Sequence, residues 1–281
     1  MSHWLLEPFQ FEFFRRALLA AVLVGGLCGL VSPYVVLRRM SYIGHGLSHA
    51  VFGGAVVGYV LRLNFYLGAG AWGFLSALLI GLIARRRKIG ADAAIGLVTT
   101  ASFALGVALI SRTRQFTRNF EAALFGHILG VTETDLWIIL GASLLALALL
   151  LFHYKPLLFA LFDPEVAEVY GVPTARMELM LSMLLAAVVI AAMQVLGVTL
   201  IAAGLVVPAA TARLLTDDFD RLVLLSILLG SLSGLIGLYL SYHLDIASGA
   251  AIVLVATGMF AGALGWEALA RQRPLRLPAG F

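Results

Sequence analysis

The histidines of the segment RRMSYIGHGLSHAVFGG, His45 and His49, are the residues whose type and spacing best suit chemistry. They are four positions apart, so a helix places both on one face, one turn from each other. Two imidazoles at that spacing can bind one divalent transition metal ion. Ionisable side chains are costly inside a membrane and usually face a cavity or a pathway. The pair therefore predicts a metal site. The alternative is a polar helix start near the membrane surface.

Four further side chains are candidate ligands for the same metal. His127 and Glu121 lie in EAALFGHILGV, a semi-polar segment between two apolar runs. His243 and Asp245 lie in SYHLDIASGA, just before the last apolar run. Histidine and carboxylate are common ligands of transition metals. For each of the four taken singly, an interfacial turn or a helix cap is the favoured interpretation.

The elements that must position these residues are membrane helices. The chain has 281 residues, of which 62% are hydrophobic and 12% are charged, whereas soluble domains are about half apolar and about a quarter charged. Its apolar runs have the length that an α-helix needs to cross a bilayer. They are continuous rather than alternating, which disfavours a β-barrel. We therefore predict an all-α polytopic membrane protein with about eight to nine transmembrane helices. Its single domain is 1–281, with the helical bundle over 9–270.

Charged or turn-forming residues separate the predicted spans. The nine candidates are 17–37, 44–61, 65–84, 91–110, 136–152, 179–195, 198–214, 222–240 and 247–269. The run after position 179 is too long for one span, and Gln194 with Gly197 predicts a break in it. Most arginines and lysines then fall in loops on one side, which should be the cytoplasm. The arginines of 112–118 are the exception. The net charge of +4 therefore indicates membrane orientation rather than binding of nucleic acid.

The loop 161–175 is predicted to contain a short helix of its own. Asp163 can be the N-cap with Pro164 at the first helical position, Glu165 lies in the first turn, and Gly171 ends the helix. The face formed with Ala167 and Glu168 is acidic, whereas attachment to anionic lipid favours a basic face. The segment is therefore interpreted as a docking element for a soluble partner. A helix on the membrane surface is the alternative.

Enzyme motifs that would give the chain its own catalysis are absent from the sequence. It has no G-x-x-x-x-G-K-[ST] loop to hold ATP phosphates, no H-E-x-x-H and no G-x-S-x-G. The histidine motif here is H-G-L-S-H, which lacks the glutamate that a zinc protease uses as its general base.

Five ordered blocks of sequence resemble the membrane permeases of the zinc, manganese and iron ABC importers. They are VVLRRMSYIGHGLSHAVFGGAVVG, LFGHILGVTETDLW, FDPEVAEVYGVP, LGVTLIAAGLVVPAATARLL and SYHLDIASGAAIVL. The resemblance implies a homodimer or a pair of paralogues, a cytoplasmic ATPase and an extracytoplasmic metal-binding protein. It also implies that the loop helix is a coupling helix, formed by Asp163, Pro164, Glu165, Ala167, Glu168 and Gly171.

The match to the metal motif of that family is incomplete. The family pattern is G-D-x-L-S-H, and here His45 stands in place of the aspartate, whereas His49 matches the histidine. A second family block, L-F-G-D-I-L, carries His127 in place of its aspartate. Imidazole in place of oxygen ligands makes a site softer, which favours zinc over manganese and also suits iron.

The predicted function is the permease subunit of an ABC importer for a divalent transition metal ion, with zinc favoured. The chain would sit in a bacterial cytoplasmic membrane, contact lipid, need no resident cofactor and leave ATP hydrolysis to a separate chain. Two alternatives are an ATP-independent carrier driven by an ion gradient and a membrane-embedded metalloenzyme. The second would need a carboxylate base near the metal, and span 44–61 contains none.

Overall fold

A computed structural model describes residues 7–38, 41–84, 90–113 and 124–271, and it is built from helices. Within those ranges there is no β-strand, so the prediction of an all-α membrane protein is confirmed. The α-helices are α1 (Glu12–Leu37), α2 (Ser41–Val60), α3 (Phe65–Ala84), α4 (Ala91–Thr113), α5 (Glu133–Phe152), α6 (Tyr154–Phe162), α7 (Pro164–Val169), α8 (Thr174–Leu196), α9 (Ile201–Leu215), α10 (Phe219–Leu244) and α11 (Ser248–Arg271). Two short 3-10 helices cover Glu7–Gln10 and Ile128–Gly130.

Each of the nine predicted spans coincides with one of these helices. Seven helices of the described chain are long and apolar enough to cross a membrane: α1, α3, α4, α5, α8, α10 and α11. Helix α2 is not among them, since histidine and glycine lower its hydropathy, and α9 has 15 residues. The chain is thus a multi-pass membrane protein, and the count of eight to nine spans stays a prediction.

The predicted break in the long apolar run is present at Gly197. Helix α8 ends at Leu196, and Gly197 has φ +74, a backbone conformation that favours glycine. A Cβ at Gly197 would lie 2.4 Å from the backbone nitrogen of Gly126, so the glycine also permits a close approach of two loops. The N–H of His127 donates to the carbonyl of Gln194 at 2.9 Å, which joins the same loops.

Helices α1 and α8 form the centre of the bundle. In their most apolar windows 67% and 72% of the residues are buried, against 17% in α11 at the periphery. Glycines let α10 approach α1 closely: a Cβ on Gly29 would lie 2.2 Å from the carbonyl oxygen of Ser226, and one on Gly230 would lie 2.1 Å from that of Gly25. Small residues at such contacts are typical of helix packing in membranes.

The loop between α5 and α8 contains two helices. Helix α7 begins as predicted, because the Asp163 carboxylate accepts from the N–H of Val166 at 3.0 Å and Pro164 occupies the first helical position. Gly171 follows with φ +82. The sequence interpretation did not anticipate α6, an apolar helix that starts right after His153 ends α5.

Candidate metal site and loop helix

Helix α2 is held against α4 by glycines, and this contact creates the surroundings of the histidine pair. A Cβ on Gly53 would lie 2.2 Å from the carbonyl oxygen of Ser102, and one on Gly46 would lie 2.7 Å from the methyl carbon of Thr99. Only glycine permits these distances. The stretch of α2 that carries the histidines therefore lies directly beside α4.

The imidazoles of His45 and His49 are in contact on one face of α2, as their spacing predicts. Their ring centroids are 4.7 Å apart and the planes are nearly perpendicular, at 85°. The His49 ring also packs edge-to-face on Phe103 of α4, with 5.0 Å between centroids. His45 is exposed, whereas His49 is half-buried. The pair thus combines one accessible imidazole with one held by packing.

The rings line a cavity of about 260 Å³ between α2 and α4. Its lining residues are Tyr42, His45, Gly46, His49, Gly96, Thr99, Thr100 and Phe103. Nδ1 of His49 is buried and has no hydrogen-bond partner among the described residues. A buried polar atom without a partner is costly. The neutral imidazole nitrogen is a good ligand for a transition metal ion, so the arrangement fits a cation that contacts both rings.

The other predicted ligands that the structure describes do not line this cavity. His127 is exposed in the loop before the 3-10 helix Ile128–Gly130, where its backbone N–H contacts Gln194. His243 lies in the last turn of α10 against the rings of Tyr239 and Tyr242. Asp245 is the C-cap of α10, with φ +52. Glu121 lies outside the described residues. Within the described ranges, no three His, Cys, Asp or Glu side chains form a group that could hold a metal ion.

Sequence analysis missed the contribution of α4 to the site. Gly96, Thr99, Thr100 and Phe103 line the cavity, and their spacing of three, four and seven places them on one helical face. The available signal was the adjacent pair Thr99 and Thr100 in the middle of the mostly apolar span 91–110. The hydroxyl of Thr99 donates to the carbonyl of Ile95 at 2.8 Å, and its oxygen keeps the capacity to accept a hydrogen bond.

The loop helix α7 presents an apolar surface outside the bundle. Phe162, Val166, Val169 and Tyr170, here called the loop patch, are 65%, 40%, 85% and 76% exposed, whereas Ala167 is fully buried. Exposed Glu165 and Glu168 border the patch. Apolar patches rimmed by polar residues mark interaction sites. The geometry is therefore suited to docking.

A polar contact ties α6 to α10 at the same end of the bundle. The hydroxyl of Tyr154 donates to the carboxylate of Asp220. This hydrogen bond and partial burial raise the pKa of Tyr154 to about 12. Tyr154 therefore remains a protonated donor at any physiological pH.

The fold and the site together define a multi-pass helical membrane protein with an imidazole-lined cavity between two helices and a short loop helix with an exposed apolar patch at one end. The model of the ABC 3 transport family matches residues 10–266. The chain belongs to the ABC 3 transport family.

Relatives extend over most of the chain. It is 40% identical over 252 residues to the manganese transport system membrane protein MntC of Halalkalibacterium halodurans, covering 90% of this chain and 86% of that protein. It is 37% identical over 267 residues to a probable iron transport system membrane protein of Haemophilus influenzae, covering 95% and 98% of the two chains.

Solved structures share the architecture. A chain of PsaBC from Streptococcus pneumoniae, solved in complex with Fab, superposes with a TM-score of 0.85 at 35% identity and covers 94% of this chain and 95% of that one. A putative metal-chelate type ABC transporter in an inward-facing conformation superposes with a TM-score of 0.71 at 17% identity, covering 90% and 86%. At that identity the second match shows the fold alone.

Proposed function

We propose that this chain is the transmembrane permease subunit of an ATP-binding-cassette importer that moves a divalent transition metal ion into the cytoplasm. The observation that carries the proposal is the His45–His49 pair. Its rings are in edge-to-face contact beside a cavity, with 4.7 Å between centroids, and one buried ring nitrogen has no partner in the described chain. The metal is the cargo, and the imidazoles are its temporary ligands.

Two arguments bear on the identity of the metal. The relatives above are named for manganese and for iron. The ligand chemistry of this chain favours zinc or iron over manganese, because imidazole is softer than the oxygen ligands that suit manganese. Ferrous iron satisfies both arguments, and zinc satisfies the second. We therefore rank iron and zinc above manganese as the cargo.

The partners follow from the surfaces of the chain. The acidic-rimmed loop patch supports docking of a cytoplasmic ATPase on the coupling helix formed by α7. His45 and Tyr42 are exposed beside the cavity, and a second copy of the chain or a paralogous permease would cover that side. An extracytoplasmic metal-binding protein would deliver the cargo at the opposite end, in a bacterial cytoplasmic membrane. ATP binding and hydrolysis in the partner would then rock the helices around the histidine pair.

The alternative of a carrier that works without an ATPase is disfavoured by the loop patch. The loop patch consists of four large exposed side chains in α7 and immediately before and after it. Such a patch has no role in a transporter driven by an ion gradient alone. Purification of the active chain without any ATPase, together with metal uptake that needs only a proton or sodium gradient, would favour the carrier.

Metal content of the purified permease–ATPase complex tests the proposal. Wild type is compared with the double variant His45→Ala/His49→Ala after equilibration with equal iron, zinc and manganese. We expect stoichiometric metal in the wild type and its loss in the double variant. His153→Ala is the matched control, because His153 lies at the end of α5 away from the cavity. Equal metal in wild type and double variant would remove the pair from the site.

A further inference from the structure

Arg38 joins three helices at the end of the bundle that carries the loop helix. It is the C-cap of α1, and its side chain is 17% exposed. One guanidinium nitrogen, Nη1, donates to the carbonyl oxygen of Ala160 in α6 at 2.9 Å. The other, Nη2, forms an ion pair with the carboxylate of Glu178 in α8. These partners are 122 and 140 residues away in sequence.

The contact with Ala160 has a specific physical cause. In a continuous helix that carbonyl would accept from the N–H four residues later. The residue four positions on is Pro164, which has no N–H. The Arg38 guanidinium supplies the missing donor, and its positive charge also suits the C-terminal end of α6. Arg38 is thus matched to the junction that Pro164 creates between α6 and α7.

The contact with Glu178 holds the other side of the loop helix. Helix α7 lies between α6 and α8 in the chain, so Ala160 precedes it and Glu178 follows it. A planar guanidinium with donors in a fixed fork can hold a carbonyl and a carboxylate at once, which lysine cannot do in the same geometry. A displacement of α7 therefore acts on Arg38 through both contacts, that with Ala160 in α6 and that with Glu178 in α8.

Arg38 is close to the histidine pair along the chain, and the cavity beside it shares one lining residue with the histidine cavity. It lies three residues before Ser41, where α2 begins, and His45 is one turn into that helix. Arg38 and Glu178 line a cavity of about 560 Å³ together with Tyr42 and Asp92, and Tyr42 lines the histidine cavity as well. The two cavities thus meet at one residue, and space is present beside Arg38 for the helices to shift.

We propose that Arg38 is the positioning residue that transmits movement of the loop helix to the helix carrying His45 and His49. The inference rests on the proposed function, because it assigns the route by which ATP-driven motion reaches the metal site. Arg38 contacts neither cargo nor nucleotide in this role. It acts by holding α6 and α8 to the end of α1, so that α2 moves when α7 moves.

The test measures the coupling of transport to hydrolysis. Permease and ATPase are reconstituted in proteoliposomes, and the metal ions imported per ATP hydrolysed are counted with radioactive Fe²⁺, Zn²⁺ and Mn²⁺ in turn. For Arg38→Gln and Glu178→Gln we expect this ratio to fall by about tenfold, within the usual range of coupling between sites. Metal bound at the histidine pair and the amount of co-purified ATPase should stay at wild-type values. Arg213→Gln is the matched control, since its pair with Asp217 is exposed and lies within one stretch of chain.

The outcomes distinguish failure of the role of Arg38 from failure of the proposed function. A wild-type ratio in both glutamine variants would overturn the role of Arg38, provided that the wild-type complex itself transports. If Arg38→Gln does not assemble, Arg38→Lys and Glu178→Gln carry the test, because each keeps a side chain of similar size. A loss of thermal stability with an unchanged ratio would show a purely structural role and would also overturn the inference. A wild-type complex that moves none of the three metals would instead count against the proposed function.

Discussion

At the scale of single residues, the proposed function rests on two imidazoles on neighbouring turns of α2. Packing on Phe103 orients the His49 ring, while His45 stays accessible. A buried imidazole nitrogen without a partner costs about 1–3 kcal/mol, and Nδ1 of His49 has none among the described residues. Among the described residues that line the cavity there is no carboxylate, so the two ligands proposed above are both imidazole nitrogens.

The ligand set leads to a prediction for His45→Asp. A carboxylate at this position is harder than imidazole and suits manganese better. We expect the ratio of manganese to zinc uptake to rise roughly fivefold, equivalent to about 1 kcal/mol. Competition between the two labelled metals in proteoliposomes measures it. His127→Asp introduces the same change outside the cavity and should leave the ratio unaltered, and an unaltered ratio in His45→Asp would contradict the ligand role.

At the scale of helices, glycines decide which pairs pack closely. Gly25, Gly29 and Gly230 bring α1 and α10 together, and Gly46 and Gly53 do the same for α2 and α4. An added Cβ would meet a backbone carbonyl oxygen of the neighbouring helix at four of these positions. At Gly46 it would meet the methyl carbons of two side chains of α4. The contacts of Gly46 and Gly53 position the histidine pair directly beside α4. Those between α1 and α10 act indirectly, because α1 precedes α2 in the chain.

Gly29→Val tests the helix contact between α1 and α10. The new Cβ would lie 2.2 Å from the Ser226 carbonyl oxygen, so the helices must separate, at a cost of roughly 1–3 kcal/mol. We expect a lower thermal unfolding temperature in detergent and a smaller yield of monodisperse protein. Gly258→Val is the matched control in α11, where an added Cβ meets nothing within 4 Å. Equal stability of the two variants would show that the close approach is not needed.

At the scale of the whole molecule, the two ends of the bundle differ in what they carry. One end carries the loop patch, Arg38 and the start of α2. The other carries the loop of His127 packed on Gly197. The histidine pair lies one and two turns into α2, so the proposed coupling surface and the proposed cargo site lie toward the same end of the bundle.

Assembly at the loop patch leads to a prediction for Glu165→Lys. Reversal of an exposed acidic charge beside the patch should place like charges across the contact with a complementary ATPase surface. We expect co-purified ATPase to fall at least fivefold, on the order of 1 kcal/mol. Asp217→Lys changes the net charge equally on a side chain that is 97% exposed and should leave assembly intact. Wild-type recovery of the ATPase with Glu165→Lys would argue against docking at α7.

Local features of the fold were predictable from the sequence alone. Apolar length sets where a chain crosses a membrane, so each predicted span coincides with a helix. Proline, glycine and a capping aspartate act on their immediate neighbours, which is why the start of α7 at Pro164 and the break at Gly197 were both predicted. The shared face of His45 and His49 also follows from helical geometry alone.

Only the tertiary structure decided what these helices face. Membrane helices are apolar all round, so hydrophobic periodicity does not mark the buried side as it does in a soluble protein. The packing of α4 against the histidine pair depends on the fit of Gly46 and Gly53 to their neighbours. The contact of Arg38 with Ala160 and Glu178 joins residues more than a hundred positions apart. Such partners are chosen by the packing of the whole bundle, and no local pattern in the sequence encodes them.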